Sequence, residues 1–205
     1  NFRGSTGFGR DFEVAGQRQW GLRMQDDVSD GVKALVAQGR VDARRICIGG
    51  ASYGGYAAMM GVVREPELFR CAVNMMGVTD LVRLVESGHA DYNRRRGSSL
   101  DARVDARLRA EVGDPAVPEQ RKLMDANSPV RLAAQIKAPV LLIYGTDDER
   151  VPIEHGTAMR DALKSVGVAY EWKTYAGEGH GIWGGGNFVD LMKRVGDFVS
   201  RQLGP

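Results

Sequence analysis

The chain has 205 residues, of which 43% are hydrophobic, and this is sufficient for one domain with a sizeable core. Its 28 lysines and arginines nearly balance 26 acidic residues, which gives a net charge of +2. We therefore expect neither nucleic acid nor an anionic membrane surface as a partner. The chain has no apolar run of about 18 residues, so no membrane-spanning helix is predicted.

The predicted elements alternate between helices and strands. A helical face over residues 20–38 is followed by a short apolar strand that contains Ile46 and Ile48, and then by a helix from Tyr56. Further strands are predicted at residues 71–76, 139–144 and 168–175. Further helices are predicted at residues 153–165 and 188–203, and across most of the charged stretch 80–130. This alternation predicts an α/β fold with a mostly parallel sheet flanked by helices.

The most informative motif lies between the Ile46 strand and the Tyr56 helix, at Gly50-Ala51-Ser52-Tyr53-Gly54. Gly-x-Ser-x-Gly between a strand and a helix is typical of a nucleophile elbow, a strained turn that exposes the serine hydroxyl. Side chains two positions either side of the serine are expected to collide, so Gly50 and Gly54 leave room. The same turn directs the backbone N–H of Tyr53 toward a developing oxyanion.

A serine hydroxyl needs a base to become a nucleophile, and the chain has three histidines. His180 lies in a glycine-rich loop directly after the last predicted strand, where the binding loops of parallel sheets gather. His89 lies in a polar loop with no strand before it, and His155, at the start of a helix, is expected to face solvent. We therefore predict His180 as the base.

The carboxylate that orients the base is expected at the end of another strand, between the serine and the histidine in chain order. The predicted strand at residues 139–144 is followed by Asp147, Asp148 and Glu149. Elementary chemistry does not separate these three acids. In the alternative interpretation, all three only solvate a turn.

Three other features receive simpler interpretations. Cys47 lies inside a predicted strand and Cys71 near the start of the next, and we expect both to pack as small buried groups rather than to form a disulfide bond. The densest basic cluster, Arg94-Arg95-Arg96, is interpreted as a solvated loop. The sequence shows no metal-binding cluster and no phosphate-binding glycine pattern, so we predict no metal and no cofactor.

Four motifs follow one another along the chain: Asn-Phe-Arg-Gly-Ser at its start, the Gly-Gly-Ala-Ser-Tyr-Gly-Gly-Tyr elbow, Gly-Thr-Asp-Asp-Glu-Arg-Val-Pro, and the Gly-His-Gly loop. Together they resemble the prolyl oligopeptidase family, and within it the branch of acylaminoacyl peptidases and dipeptidyl peptidases. The resemblance covers essentially the whole chain. It implies an α/β-hydrolase fold, with residues 1–205 as a single catalytic domain.

The resemblance also implies roles for particular residues. The triad aspartate of the family is the third residue after the strand-ending glycine, which is Asp148 here, alongside Ser52 and His180. The arginine two residues later often binds a substrate carbonyl in the family, and Arg150 occupies that position. The implied activity is hydrolysis of acyl-aminoacyl or dipeptidyl-type bonds in short peptides through an acyl-enzyme. A carboxylesterase for small esters is the alternative within the hydrolases, and a non-catalytic binding domain is the alternative outside them.

The sequence departs from the family pattern in three respects. Tyr144 stands where many relatives carry histidine. Family members carry strands with a His-Gly-Gly-type loop ahead of the first motif, and most also carry an N-terminal β-propeller. This sequence contains neither of these. We therefore expect the hydrolase domain to lack its N-terminal strands and to associate with the missing N-terminal part of its own polypeptide. A homo-oligomer is compatible with the sequence, which specifies neither compartment nor side-chain preference.

Overall fold

A computed structural model of the protein describes residues 1–87 and 100–204. Its contacts divide the chain into two compact units. One comprises Asn1–Arg40 and Asp80–Ser128, and the other comprises Val41–Thr79 and Pro129–Pro205. The loop that contains His89 and the basic cluster at residues 94–96 lie outside the described residues.

The helices and strands follow the predicted alternation. The helices are α1 (Arg10–Val14), α2 (Arg23–Ala37), α3 (Tyr53–Arg64), α4 (Leu81–Ser87), α5 (Leu100–Val112), α6 (Pro118–Ala126), α7 (Glu154–Ser165) and α8 (Gly185–Leu203). The strands are β1 (Cys47–Ala51), β2 (Cys71–Met75), β3 (Val140–Gly145) and β4 (Tyr170–Tyr175). Short 3-10 turns at Pro129–Arg131 and Ala133–Gln135 precede β3. Most predicted boundaries agree to within about three residues.

The second unit is built around a parallel sheet. Within the described residues, β1 to β4 form one four-stranded sheet in the order β1-β2-β3-β4. Each neighbouring pair is parallel. Because parallel neighbours require a crossover connection, the chain returns along the faces of the sheet between strands. The carboxyl ends of all four strands therefore lie at the same edge.

Different helices cover the two faces of this sheet. On one face, Leu141 of β3 belongs to the same buried apolar cluster as Phe198 of α8. On the other face, a Cβ atom added to Gly156 of α7 would lie 2.5 Å from the Tyr144 ring, so the helix and the strand are in close contact. Every residue of β3 is consequently buried, which explains its continuous apolar sequence.

The helix α8 is amphipathic and presents one apolar stripe to the sheet. Its buried residues Leu191 and Phe198 are seven positions apart, which places them on the same side two turns apart. The helix ends before Gly204, whose φ of 67° favours glycine. Burial of the aromatic ring of Phe198 contributes about 1.5–3 kcal/mol to the free energy with which α8 packs on the sheet.

The first unit is mainly helical in its described residues, and the Asn-Phe-Arg-Gly-Ser motif is anchored within it. The Arg3 guanidinium donates to the carboxylate of Asp27 in α2 through Nε at 2.7 Å and Nη2 at 2.6 Å. These hydrogen bonds lower the pKa of the Asp27 carboxyl. The backbone N–H of Arg18 donates to the carbonyl of Glu111 in α5 at 2.7 Å. Among the described helices of the chain, none has the length and apolarity needed to cross a membrane.

The structure contradicts the prediction for the two cysteines. Cys47 and Cys71 form a disulfide bond, with their Cα atoms 4.7 Å apart. They are the first residues of β1 and β2, and the parallel register places them directly opposite each other. The sequence pattern of each strand identifies it as buried but does not encode this register, so the bond was not predicted.

We expect the disulfide bond to contribute about 3 kcal/mol to the free energy of unfolding, because it restricts the unfolded chain across a separation of 24 residues. The Cys47→Ala/Cys71→Ala variant should show this loss in urea denaturation. In a control, the wild-type protein denatured without reductant should not react with iodoacetamide. Alkylation of either cysteine under those conditions would contradict the bond.

Candidate active site

Ser52 lies at the turn between β1 and α3, where the Gly-x-Ser-x-Gly motif predicts it. Its backbone has φ 58° and ψ −122°, a conformation that costs a non-glycine residue about 1–3 kcal/mol. The N–H of Ser52 donates to the Met75 carbonyl at 3.0 Å, and the N–H of Tyr56 donates to the Ser52 carbonyl at 3.2 Å. The strained turn is therefore held by β2 on one side and by the first turn of α3 on the other.

The prediction that glycine is required on both sides of the serine is correct for Gly50 and wrong for Gly54. A Cβ atom at Gly50 would lie 2.6 Å from the carbonyl carbon of Gly54 and 2.7 Å from its Cα. A Cβ atom at Gly54 would have no described atom within 4 Å apart from its chain neighbours and the backbone of its own helix. The backbones of β1 and α3 approach each other along the Cβ direction of Gly50, whereas the Cβ direction of Gly54 meets no other segment among the described residues.

A buried polar cluster beside α3 holds the end of β2. The Tyr144 hydroxyl donates to the Gly77 carbonyl at 2.6 Å, and the Gly77 N–H donates to Asn74 Oδ1 at 2.8 Å. Burial raises the pKa of Tyr144 well above its usual range, so the phenol stays protonated and remains a donor. A Cβ atom at Gly55 would lie 2.7 Å from both Asn74 Oδ1 and Gly77 Cα, so α3 packs tightly on this cluster.

Ser52, His180 and Asp148 lie in one hydrogen-bonded chain. His180 Nε2 is 2.9 Å from Ser52 Oγ, and His180 Nδ1 is 2.8 Å from Asp148 Oδ2. The Asp148 side chain has no exposed surface, and the His180 side chain is 17% exposed. Asp148 Oδ1 accepts the backbone N–H groups of Arg150 and Val151, each at 2.9 Å. An imidazole with its proton on Nδ1 can therefore donate to Asp148 and accept the serine proton.

Of the three candidate acids, Asp148 is the one that contacts His180. Asp147 is exposed, and its Oδ1 accepts the hydroxyl of Thr146 at 2.8 Å. Glu149 is also exposed. The burial of Asp148 and its two backbone donors separate it from its neighbours, which the sequence alone does not do.

The turn that carries Asp148 and the loop that carries His180 are in direct contact. A Cβ atom at Gly145 would lie 2.6 Å from the Gly179 carbonyl oxygen. The Thr146 N–H donates to the Tyr175 carbonyl at 3.0 Å, and Thr146 Oγ1 accepts the Gly177 N–H at 2.9 Å. No role is predicted for Thr146 from the sequence; its position between the strand-ending glycine and two acids is the signal that could have indicated one.

The guanidinium of Arg150 extends from the same turn into solvent. The residue is exposed, and its backbone N–H is used by Asp148. Within residues 1–87 and 100–204, the guanidinium has no ion pair. The alternative interpretation of Arg150, a surface salt bridge, is therefore not supported in this part of the chain, and the positive charge is available to a ligand.

His155 is buried, contrary to the expectation that it faces solvent. Its exposed fraction is 0%, its Nδ1 accepts the Thr79 N–H at 3.2 Å, and its carbonyl accepts the Thr79 hydroxyl at 2.7 Å. The first turn of α7 packs this side chain inward, which its position near a helix start does not reveal. In the described part of the chain, no group of three or more His, Cys, Asp or Glu side chains could hold a metal ion.

A parallel sheet flanked by helices, with a strained serine between strand and helix, is the architecture of the α/β-hydrolases. The model of the prolyl oligopeptidase family matches residues 1–205, and the chain belongs to that family. The resemblance and the fold class inferred from the sequence are thereby confirmed, as is the assignment to the serine peptidases.

The chain is similar to characterised peptidases along most of its length. It is 34% identical over 182 residues to dipeptidyl aminopeptidase BIII of Pseudoxanthomonas mexicana, covering 89% of this chain and 25% of that one. It is 30% identical over 193 residues to the acylamino-acid-releasing enzyme of Mus musculus, covering 89% and 24%. A puromycin-hydrolyzing peptidase of Mycobacterium tuberculosis superimposes with a TM-score of 0.88 at 29% identity, covering 100% and 29%. The chain thus spans about a quarter of the length of these relatives.

The close contact at Gly50 predicts opposite effects for two similar substitutions. Gly50→Ala should lower the free energy of unfolding by about 1–3 kcal/mol, because its Cβ meets backbone that cannot move aside. Gly54→Ala is the matched control, and it should be neutral or stabilising, since alanine is favoured over glycine in a helix by about 1 kcal/mol. Urea denaturation measures both variants, and an equal loss of stability would contradict the packing described here.

Proposed function

We propose that this serine peptidase cleaves acyl-aminoacyl or dipeptidyl-type bonds of short peptides, with Ser52 as nucleophile, His180 as general base and Asp148 as the orienting acid. The observation that carries the proposal is the hydrogen-bonded chain from Ser52 Oγ through the imidazole to Asp148, with distances of 2.9 and 2.8 Å. The names of two relatives, a dipeptidyl aminopeptidase and an acylamino-acid-releasing enzyme, support this substrate class.

The reaction proceeds by acyl transfer in two halves. His180 Nε2 takes the proton of Ser52 as Oγ bonds to the substrate carbonyl carbon, and the resulting imidazolium is stabilised by the carboxylate of Asp148. The C–N bond then breaks, and the leaving amine takes that proton from Nε2. Water attacks the acyl-enzyme in the same way, giving the carboxylic acid and restoring the serine hydroxyl.

The carbonyl oxygen gains negative charge at each attack. The backbone N–H of Tyr53, the first residue of α3, is the donor that we assign to this oxyanion. The first N–H groups of a helix lie at the positive end of its dipole, which favours a developing negative charge. The donor belongs to the residue that directly follows Ser52 in the chain, which supports this assignment.

Arg150 is the residue that we assign to substrate binding. Its charged, exposed guanidinium is two residues from the buried Asp148. A guanidinium presents several donors to a carbonyl oxygen, and a peptide offers a second carbonyl beside the scissile bond, whereas a simple ester does not. Arg150 therefore favours peptides over small esters.

The first test of the proposal is reaction with a fluorophosphonate probe, which reports an activated serine. The native polypeptide should be labelled, and Ser52→Ala should abolish labelling. Ser165→Ala, which removes an exposed serine hydroxyl elsewhere, should leave it intact. In a separate measurement of peptide hydrolysis, Asp148→Asn should lower kcat by about 10⁴-fold, because the amide favours the wrong tautomer of the His180 imidazole. Labelling that persists in Ser52→Ala would overturn the assignment.

The role of Arg150 is tested by comparing two substrates. Arg150→Met should raise KM for an acyl-aminoacyl nitroanilide by about 10-fold or more, because it removes a charge-assisted hydrogen bond. Hydrolysis of p-nitrophenyl acetate should be unchanged, since this ester has no second carbonyl. Arg201→Met removes an exposed positive charge of α8 and serves as the control. Equal losses on both substrates would contradict a role in binding the peptide.

A further inference from the structure

The side chain of Glu178 spans the loop that carries His180. Its Oε1 accepts hydrogen bonds from the Gly184 N–H at 3.0 Å and from Asn187 Nδ2 at 2.7 Å, and its Oε2 accepts the Trp183 N–H at 3.1 Å. Glu178 precedes the histidine by two residues, and all three donors follow it. The carboxylate therefore ties the two ends of the loop together.

The backbone of Glu178 attaches the same loop to the turn of the catalytic acid. Its carbonyl accepts the N–H of Asp147 at 2.9 Å, and Asp147 is the neighbour of Asp148. A Cβ atom added to Gly145 would collide with this carbonyl, so the two segments are in contact here. Glu178 thus connects the loop both to the turn that carries Asp148 and to the start of α8.

The loop has little stiffness of its own. Gly177, Gly179 and Gly181 give it high backbone freedom, and φ values of 73° at Gly177 and 153° at Gly181 are conformations that other residues rarely adopt. His180 is partly exposed, so packing alone does not fix its ring. A further restraint is needed to keep the imidazole within 2.9 Å of Ser52 Oγ.

The Glu178 carboxyl is suited to this task because it is ionised. Hydrogen bonds from the Asn187 side chain and from the N–H groups of Trp183 and Gly184 lower its pKa. A carboxylate has two acceptor oxygens and no donor, which matches three donors. Two of these donors immediately precede α8, where the positive end of the helix dipole favours negative charge.

We propose that Glu178 is a positioning residue for the catalytic histidine: its carboxylate holds the loop so that the His180 imidazole stays within proton-transfer reach of Ser52. The inference rests on the proposed function, since Glu178 acts through His180. The described contacts of its carboxylate are with the loop and with α8. A displacement of about 1 Å at a catalytic group can cost 10²-fold in rate, so loss of the carboxylate should slow the chemical step and spare substrate binding.

The test is the kinetics of Glu178→Ala in the native polypeptide, with rates expressed per active site titrated by the fluorophosphonate probe. We expect kcat per titrated site to fall about 10- to 100-fold, with KM for the nitroanilide changed by less than about two-fold. The downfield NMR resonance of the His180 Nδ1 proton provides a second measurement. It should broaden in the variant, because the imidazole samples more orientations.

Two further variants grade the effect. Glu178→Gln keeps the size of the side chain but has one acceptor oxygen, and Asn187→Ala removes one of the three donors; both should give intermediate kcat values. Glu171→Ala is the matched control. Its carboxylate contacts the far end of α8 through Arg201 at 2.6 Å, and its loss should leave kcat and KM at wild-type values.

Each outcome bears on the inference. An unchanged kcat per titrated site in Glu178→Ala would overturn the inference. This holds also if the variant has fewer titratable sites, since the carboxylate would then only maintain the fold. If Glu178→Ala does not fold, Asn187→Ala decides by the same criterion. A wild-type protein that does not react with the probe would overturn the proposed function itself, and the inference with it.

Discussion

The parallel direction of β1, β3 and β4 brings their carboxyl ends to one edge of the sheet. Each of these strands is followed by one of the three residues of the site: Ser52 directly after β1, Asp148 after β3 and His180 after β4. An antiparallel strand in any of these places would carry its residue to the opposite edge. The site therefore depends on backbone direction before it depends on any side chain, and the crossover helices are what enforce that direction.

Much of the fold and the site could be predicted because the relevant signals are local. Apolar runs that end in glycine indicate buried strands, and the glycines around Ser52 indicate a turn between a strand and a helix. His180 could be inferred because it follows a strand. Asp148 could be separated from the acids beside it only by resemblance to a family. In the structure, its burial and the backbone donors of residues 150 and 151 make the same distinction physically.

The features that were missed depend on how distant segments meet. The bond between Cys47 and Cys71 requires the register of two strands, which neither strand encodes alone. The buried His155 forms hydrogen bonds with Thr79, which lies 76 residues earlier in the chain. The open space at Gly54 depends on the direction of a single Cα–Cβ bond relative to β1. Local sequence patterns carry no information about any of these relations.

The disulfide bond closes a covalent ring that includes Ser52. The ring contains β1, the turn at Ser52, the whole of α3 and the connection to β2, and the bond joins the first residues of the two strands. If a protease cut the partly exposed connection between residues 65 and 70, the disulfide bond would therefore still join the two parts of the chain. Ser52 would stay linked to the part of the chain that follows the cut until a reductant opened the ring.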